Sequence, residues 1–364
     1  MRASVISILL VLCQSGILLA DDSGQPYNPQ WVILPFVSYT PETSVMFGGM
    51  GMYQFKPGRA ETESRSSHMI VSGTYTLNRQ LMLEFTPNVI FDQERLILDG
   101  RYEYSFFPEN YWGVGPGAPD NAETSIEYRK FDFYQTILFK SGPDLHIGPK
   151  LRWSRLYDIS IAEDLSQPTG GPSEHEISEG STLAGIGFSV RNDRRNSLIT
   201  PTENHYLEIT GMLYPEFSGT THPHTSWLID ARRYLALRGD QTSVLAFHFR
   251  SRFTTGNPPF QEYALLGGRE IMRGYYEGRF RDFNAAQIQA EFRQHIHGRF
   301  GLTLFAAAGE AWGRFVEITF SNPKYSAGAG VRFNLNPDDT NNLRIDYGIG
   351  PHGGGLYITI GEAF

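Results

Sequence analysis

Cysteine is all but missing from this 364-residue chain, with Cys13 the one instance. It falls in an N-terminal stretch that reads as a secretory leader, so the mature chain has no cysteine and no disulfide framework. No apolar run near 18 residues follows the leader, which excludes a helical membrane span. Clusters of one charge sign are also lacking. The 31 basic and 39 acidic residues are interspersed, with a net charge of −8, and no basic patch marks a nucleic-acid partner. Gly-x-Ser-x-Gly is absent, no P-loop lysine follows Gly267-Gly268, and no repeat of propeller length is visible.

The leader spans residues 1–20: Arg2 supplies the positive start, Val5 to Leu12 the apolar run, and Ala20 before Asp21-Asp22 the cleavage position. Leu18, three positions before the cut, is larger than usual there. Cys13 admits a lipoprotein reading, against which stand the bulk of Leu12 and the shortness of the apolar run. Residues 21–30 then form a short periplasmic segment and 31–364 one domain. Roughly 344 mature residues suffice for one large domain or two ordinary ones. The slightly negative mean hydropathy suits a soluble protein or a transmembrane barrel equally, because half of every barrel strand faces water.

What the chain has in abundance is a period of two. Leu96, Leu98, Gly100, Tyr102, Tyr104 and Phe106 alternate with Ile97, Asp99, Arg101, Glu103 and Ser105. Leu245, Phe247 and Phe249 oppose His248, Arg250 and Arg252 in the same way. Amphipathic helices repeat at three and four, so these are strands with one apolar and one polar face. Sixteen such segments are expected, near 31–39, 43–55, 67–77, 80–91, 94–107, 123–140, 143–157, 181–191, 204–214, 223–238, 241–253, 284–296, 299–308, 324–335, 341–349 and 353–364. One edge carries mostly tight turns, such as Asp92-Gln93-Glu94 and His297-Gly298-Arg299. The other carries long loops near 108–122, 158–180, 254–283 and 309–323. The pattern predicts an all-β fold, a 16-stranded antiparallel transmembrane β-barrel of the bacterial outer membrane. The soluble alternatives, a sandwich or a propeller, leave the leader, the aromatic strand ends and terminal Phe364 unexplained.

The loop that runs from Leu265 through Gly267-Gly268 and Arg273-Gly274-Tyr275 to Gly278 is long, Gly-rich and arginine-bearing. Within a barrel it has room to fold back into the lumen, where the five donors of an arginine are best met by carboxylates. Alternation places Glu291 on the inward face with Gln287, Gln289, Arg293 and His295, which makes Glu291 the first partner expected for Arg273.

Arg273-Gly274-Tyr275 after Leu266-Gly267-Gly268 resembles the signature loop of the BamA/TamA-like bacterial surface antigen family. Arg191-Asn192-Asp193-Arg194-Arg195 with Pro201-Thr202 is similar to its periplasmic turn, and Gln289-Ala290-Glu291-Phe292-Arg293 to its Glu-x-Arg strand. Leu343-Arg344-Ile345-Asp346-Tyr347-Gly348 and Phe364 fit its last two strands. The resemblance implies an outer-membrane barrel whose loop arginine enters the lumen and pairs with acidic residues. The family's second acid stands in Phe-x-Asp-x-Gly, where this chain has Ala307, so Glu310 or Asp346 is expected as the substitute. Only Asp21 to Gln30 separates leader and first strand, which implies a barrel-only relative without periplasmic POTRA domains.

The family's mechanism implies a lateral seam between first and last strands. Pro35 cannot donate to a ladder, Gly353-Gly354-Gly355 and Gly361 loosen the last strand, and Phe364 closes it. The opposing expectation is that these residues merely bend strand ends. Enzyme chemistry is sparsely supplied: His222, His224 and Ser226, or His175 with Ser173 and Ser178, are the available neighbours for a hydrolase. His295-x-His297 lacks a third metal ligand. No catalytic residue, metal or cofactor is expected. The expected work is insertion or translocation of a protein or lipid substrate at the outer membrane. A passive pore or structural surface antigen is the alternative, and a hydrolase the third. Expected partners are outer-membrane lipids, a periplasmic or substrate protein, and a second copy of the chain.

Overall fold

The computed structural model describes residues 30–57, 65–162, 177, 179–237, 239, 241–314, 322–335 and 342–364. The leader, residues 21–29, and Ser173, His175 and Ser178 of the hydrolase reading lie outside them. Sixteen antiparallel strands follow one another round a closed wall. The first eight are β1 (Gln30–Thr40), β2 (Ser44–Phe55), β3 (Ser67–Thr76), β4 (Leu81–Phe91), β5 (Leu96–Phe106), β6 (Thr124–Gly142), β7 (Leu145–Ile161) and β8 (Ser181–Asp193). The rest are β9 (Asn204–Tyr214), β10 (His224–Ala236), β11 (Ser243–Gly256), β12 (Asn284–His297), β13 (Phe300–Trp312), β14 (Lys324–Asn334), β15 (Asn342–Gly350) and β16 (Gly353–Ile360).

Alternation sets the two faces. Trp31, Ile33, Val37, Phe47, Val71 and Leu83 are exposed on the outer face, as strands facing hydrocarbon require. Asp132, Arg152, Glu291, Arg293, Arg332 and Asp346 are buried on the inner one. No described helix is long and apolar enough to cross a membrane; the strands do the crossing.

The sixteen segments expected from the sequence coincide with these strands, with two differences of substance. Beyond Phe106 the fifth strand breaks at Pro108, which has no N–H to donate, and Glu109–Tyr111 resumes pairing with β6. The last strand does not run to Phe364. Gly361 takes φ +87° and the chain leaves the wall. Glu362 then receives the Arg332 guanidinium at 2.8 Å, and Phe364 is buried inside the lumen with its ring 4.9 Å from His248.

The long connections after β5, β7, β9, β11 and β13 share one rim. Residues 257–283, between β11 and β12, fold into the lumen there. A ribbon of Ala264–Leu266 and Phe280–Asp282 stiffens this segment. Ala264, Leu266, Ile271, Met272 and Phe280 pack on Ala285, Ala307 and Ala311 of the wall. Tyr111, Ile126, Tyr128, Phe260 and Tyr263 form a second apolar cluster beside it.

Candidate functional site

The inward loop turns on glycine. Gly267, Gly268 and Gly274 take φ of +95°, +115° and +114°, values that side chains rarely tolerate. At Gly274 the loop backbone also touches β15: a Cβ on Gly348 would lie 2.5 Å from the carbonyl carbon of Arg273. Gly350 likewise makes room for the Tyr275 ring. The Gly274 N–H donates to the Tyr357 hydroxyl at 3.0 Å, and the Tyr275 hydroxyl donates to the Tyr325 carbonyl at 3.1 Å. Together these contacts aim Arg273 down the lumen.

Arg273 is fully buried. Its Nη2 donates to Glu291 and its Nη1 to Asp346, and its guanidinium carbon lies 3.7 Å from the centroid of the Phe305 ring. Neither carboxylate serves Arg273 alone. Glu291 accepts from Arg293 Nε at 2.7 Å, and Asp346 from Arg332 Nη1 at 2.5 Å. Arg344 Nε stands 3.5 Å from Asp346. Glu362 ties Arg332 to the inturned tail. Four guanidiniums thus share three carboxylates in a confined, buried space, where each partner makes the others' burial affordable. Removing a carboxylate leaves buried guanidiniums short of a partner, whereas Glu291 and Asp346 each keep a second arginine if Arg273 is lost.

The structure therefore brings Arg273, Glu291 and Asp346 together. Glu310 instead accepts the Asn322 N–H at 3.1 Å. Ala307, where the resemblance would place a carboxylate, is buried under the apolar part of the loop. A second anchor was not legible in advance: Glu262 of the loop holds Arg152 at 2.7 Å and also pairs with Arg252, while Asp132 grips Arg152 through two bonds of 2.9 Å. Burial alone would raise the Glu262 carboxyl, but the guanidiniums of Arg152 and Arg252 outweigh it and hold it well below the ordinary range. Arg279 and Arg281 further tie the loop to Asp120 and Glu109 of the β5–β6 connection. The available signal was inward alternation, which puts Arg152, Arg332 and Arg344 on the lumen side. Their partners, distant along the chain, were beyond it.

At the seam, Tyr39 and Ile358 are the one residue pair in the ladder between β1 and β16, joined by the Ser38 hydroxyl donating to the Ile358 carbonyl at 2.7 Å. Along its other edge β1 pairs with β2 at every residue from Gln30 to Thr40. Pro35 lies opposite Gly49 on that edge, exposed on the outer face. Gly361 is the point where the chain leaves the wall. Phe364 is not a seam residue: it packs against Tyr234, His248 and Arg293 of β10, β11 and β12. The turn at Gly361 carries it there.

Two of the histidine sets lie among the described residues. His224 Nδ1 lies 2.7 Å from the His222 carbonyl and its ring stacks on Tyr214, with no bond to Ser226 among the described residues. A bulge between His295 and His297 interrupts the alternation that would put both rings on one face.

Residues 66–364 match the sequence profile of the Omp85 superfamily domain. A search of curated protein sequences returns no match. Among solved structures, the chain resembles BamA from Haemophilus ducreyi lacking POTRA domains 1–3. The TM-score is 0.64 and the identity 12%, over 92% of this chain and 70% of that one. It also resembles CdiB from Acinetobacter baumannii, with a TM-score of 0.60 and 12% identity over 92% of this chain and 65% of that one. For CdiB from Escherichia coli the TM-score is 0.58 and the identity 10%, over 92% and 64%. The chain thus spans just under two thirds of the two CdiB proteins.

Proposed function

The chain belongs to the Omp85 superfamily and is a β-barrel of the bacterial outer membrane, and from that premise we propose that it inserts or translocates a protein or lipid substrate at the outer membrane without catalysing a reaction. One observation carries the reading: a wall laddered along every other junction is joined at β1–β16 by a single residue pair. Unpaired backbone groups are costly against hydrocarbon, so the free edge of β1 favours any partner that satisfies it. Pro35 removes one donor from that strand. The loop held by Arg273 closes the lumen meanwhile, which lets the seam open without an aqueous leak.

Tyr39 and Ile358 are opposed residues, within reach of a disulfide once both are replaced by cysteine. In liposomes, the oxidised variant is expected to stop integrating an unfolded outer-membrane barrel client supplied from outside, and reduction to restore it. Client integration that proceeds equally in the locked form sinks the reading.

The passive-pore reading has its own support in a lumen cavity of about 320 Å³ lined by Arg101, Lys130, Arg250, Arg252 and Glu277. Single-channel recording separates the two. Rare flickers favour the plugged translocase, and a large steady conductance favours the pore.

A further inference from the structure

Most strands put charged side chains on the inner wall, but those beside the seam do not. The inward positions of β1 and β2 carry no charged residue: Val32, Leu34 and Phe36 face Met52, Met50 and Gly48 across the ladder, and Met52 faces Ile70 of β3. Phe36 lies over Gly48, where a Cβ would stand 2.3 Å from its ring. All six apolar side chains are half-buried, and none belongs to the apolar clusters that the lumen loop builds. Nearer the long-loop rim the same face turns to buried Ser38, Thr40, Thr74 and Thr76. The patch is therefore confined to the half of the lumen opposite the long loops.

A strand apolar on both faces expects apolar surroundings on both. The outer face of β1, with Trp31, Ile33 and Val37, has the bilayer. The inner face turns six half-buried apolar side chains to the lumen, and an apolar patch left partly exposed marks a binding surface. Deepening the translocase reading, on which it rests, we propose that this patch receives an acyl chain of a membrane phospholipid that passes round the free edge of β1. Three observations select hydrocarbon over peptide. The patch itself is hydrocarbon and two thioethers, with polar Ser72 and Gln54 only at its borders, so it has little with which to hold a backbone. It is continuous with the lipid-facing surface across an edge that one residue pair guards. Its two methionines, flexible and polarisable, adapt to a chain without fixed shape. The substrate class is then lipid or lipid-bearing.

The test places a photo-crosslinking phenylalanine at Leu34, Met50, Ile33 or Leu228 of the full chain in phosphatidylethanolamine nanodiscs. Ile33 faces the bilayer, and Leu228 is an inner apolar residue beside the charged cavity. Lipid adducts at Leu34 and Met50 are expected within about threefold of Ile33 and at least about tenfold above Leu228. Yields equal to Leu228, or adducts with peptide instead, overturn the proposal. A Leu34→Gln, Met52→Gln variant with normal heat-modifiable migration is expected to lower capture at Met50 about tenfold and leave Ile33 unchanged. Capture that survives both substitutions also overturns it. Absence of lipid at Leu34 and Met50, in a protein whose disulfide-locked form loses client integration, removes the lipid inference and leaves the translocase reading standing. Full client integration by the locked form overturns that reading and, with it, passage of a chain through the seam.

Discussion

Replacing Arg273 by alanine should release the loop while leaving the wall intact, and its size can be worked from the contacts. Removing one partner of a buried ion pair costs about 3–5 kcal/mol. Glu291 keeps Arg293 at 2.7 Å and Asp346 keeps Arg332 at 2.5 Å, so neither carboxylate is stranded and the loss falls near ~3 kcal/mol. The Phe305 face, 3.7 Å from the guanidinium carbon, adds about 1 kcal/mol. Glu291→Gln acts from the other side, leaving Arg273, Arg293 and Arg332 short of one negative charge. In that background Arg273 is surplus, and removing it costs less, with a coupling of about 2 kcal/mol. Loop release is read through a cysteine at Met272, which is fully buried, by its rate of modification with a maleimide too polar to enter a closed lumen. A loss of 3–4 kcal/mol speeds modification by roughly 10²–10³-fold when opening is local. Accelerations that simply multiply in the double variant, within about 0.5 kcal/mol of additivity, refute the pairing as the anchor.

Gly348→Val forces a side chain to where the Arg273 carbonyl carbon would lie 2.5 Å from its Cβ; it should unseat the loop by about 1–3 kcal/mol, seen as faster labelling at Met272 with unchanged heat-modifiable migration. Glu262 brings a pH dependence of definite sign. Its carboxyl is depressed from 4.5 to about 2, so its stabilisation is complete above about pH 4.5 and fades as the pH falls through the depressed value. Pepsin nicking within residues 257–283 should therefore rise steeply between pH 4 and pH 2, relative to a tethered reporter peptide that corrects for enzyme activity. Glu262→Gln should flatten that rise, and an unchanged profile would remove Glu262 as an anchor. Phe364→Ala empties the tail's seat against Tyr234 and His248 at a cost of about 3 kcal/mol; urea unfolding in detergent micelles measures it, and a midpoint equal to wild type refutes the seat.

Much of the wall was legible because the bilayer imposes one rule on every strand. Hydrocarbon outside and water inside force a two-residue period, and β5 or β11 shows it to the eye. The rule failed where a residue satisfied it by accident. Ile358, Ile360, Glu362 and Phe364 continue a plausible strand spacing, so nothing local announces that Gly361 turns the chain inward. Ala307 was readable as a missing carboxylate, but not as the floor on which Met272 and Ile271 rest.

By itself the sequence determined the number of strands, which face of each meets lipid, and that Arg273 sits in a loop able to enter the lumen. These follow from local periodicity and from glycine's access to positive φ, and both act over a few residues. The tertiary structure decided that Asp346 and not Glu310 completes the clamp, that Gly348 lets the loop touch β15, and that the tail seats Phe364 against β10 to β12. It also decided that the seam holds by one residue pair. Each of these depends on bringing residues as far apart as Arg273 and Asp346, or Tyr39 and Ile358, to one place. Only the closure of the barrel does that.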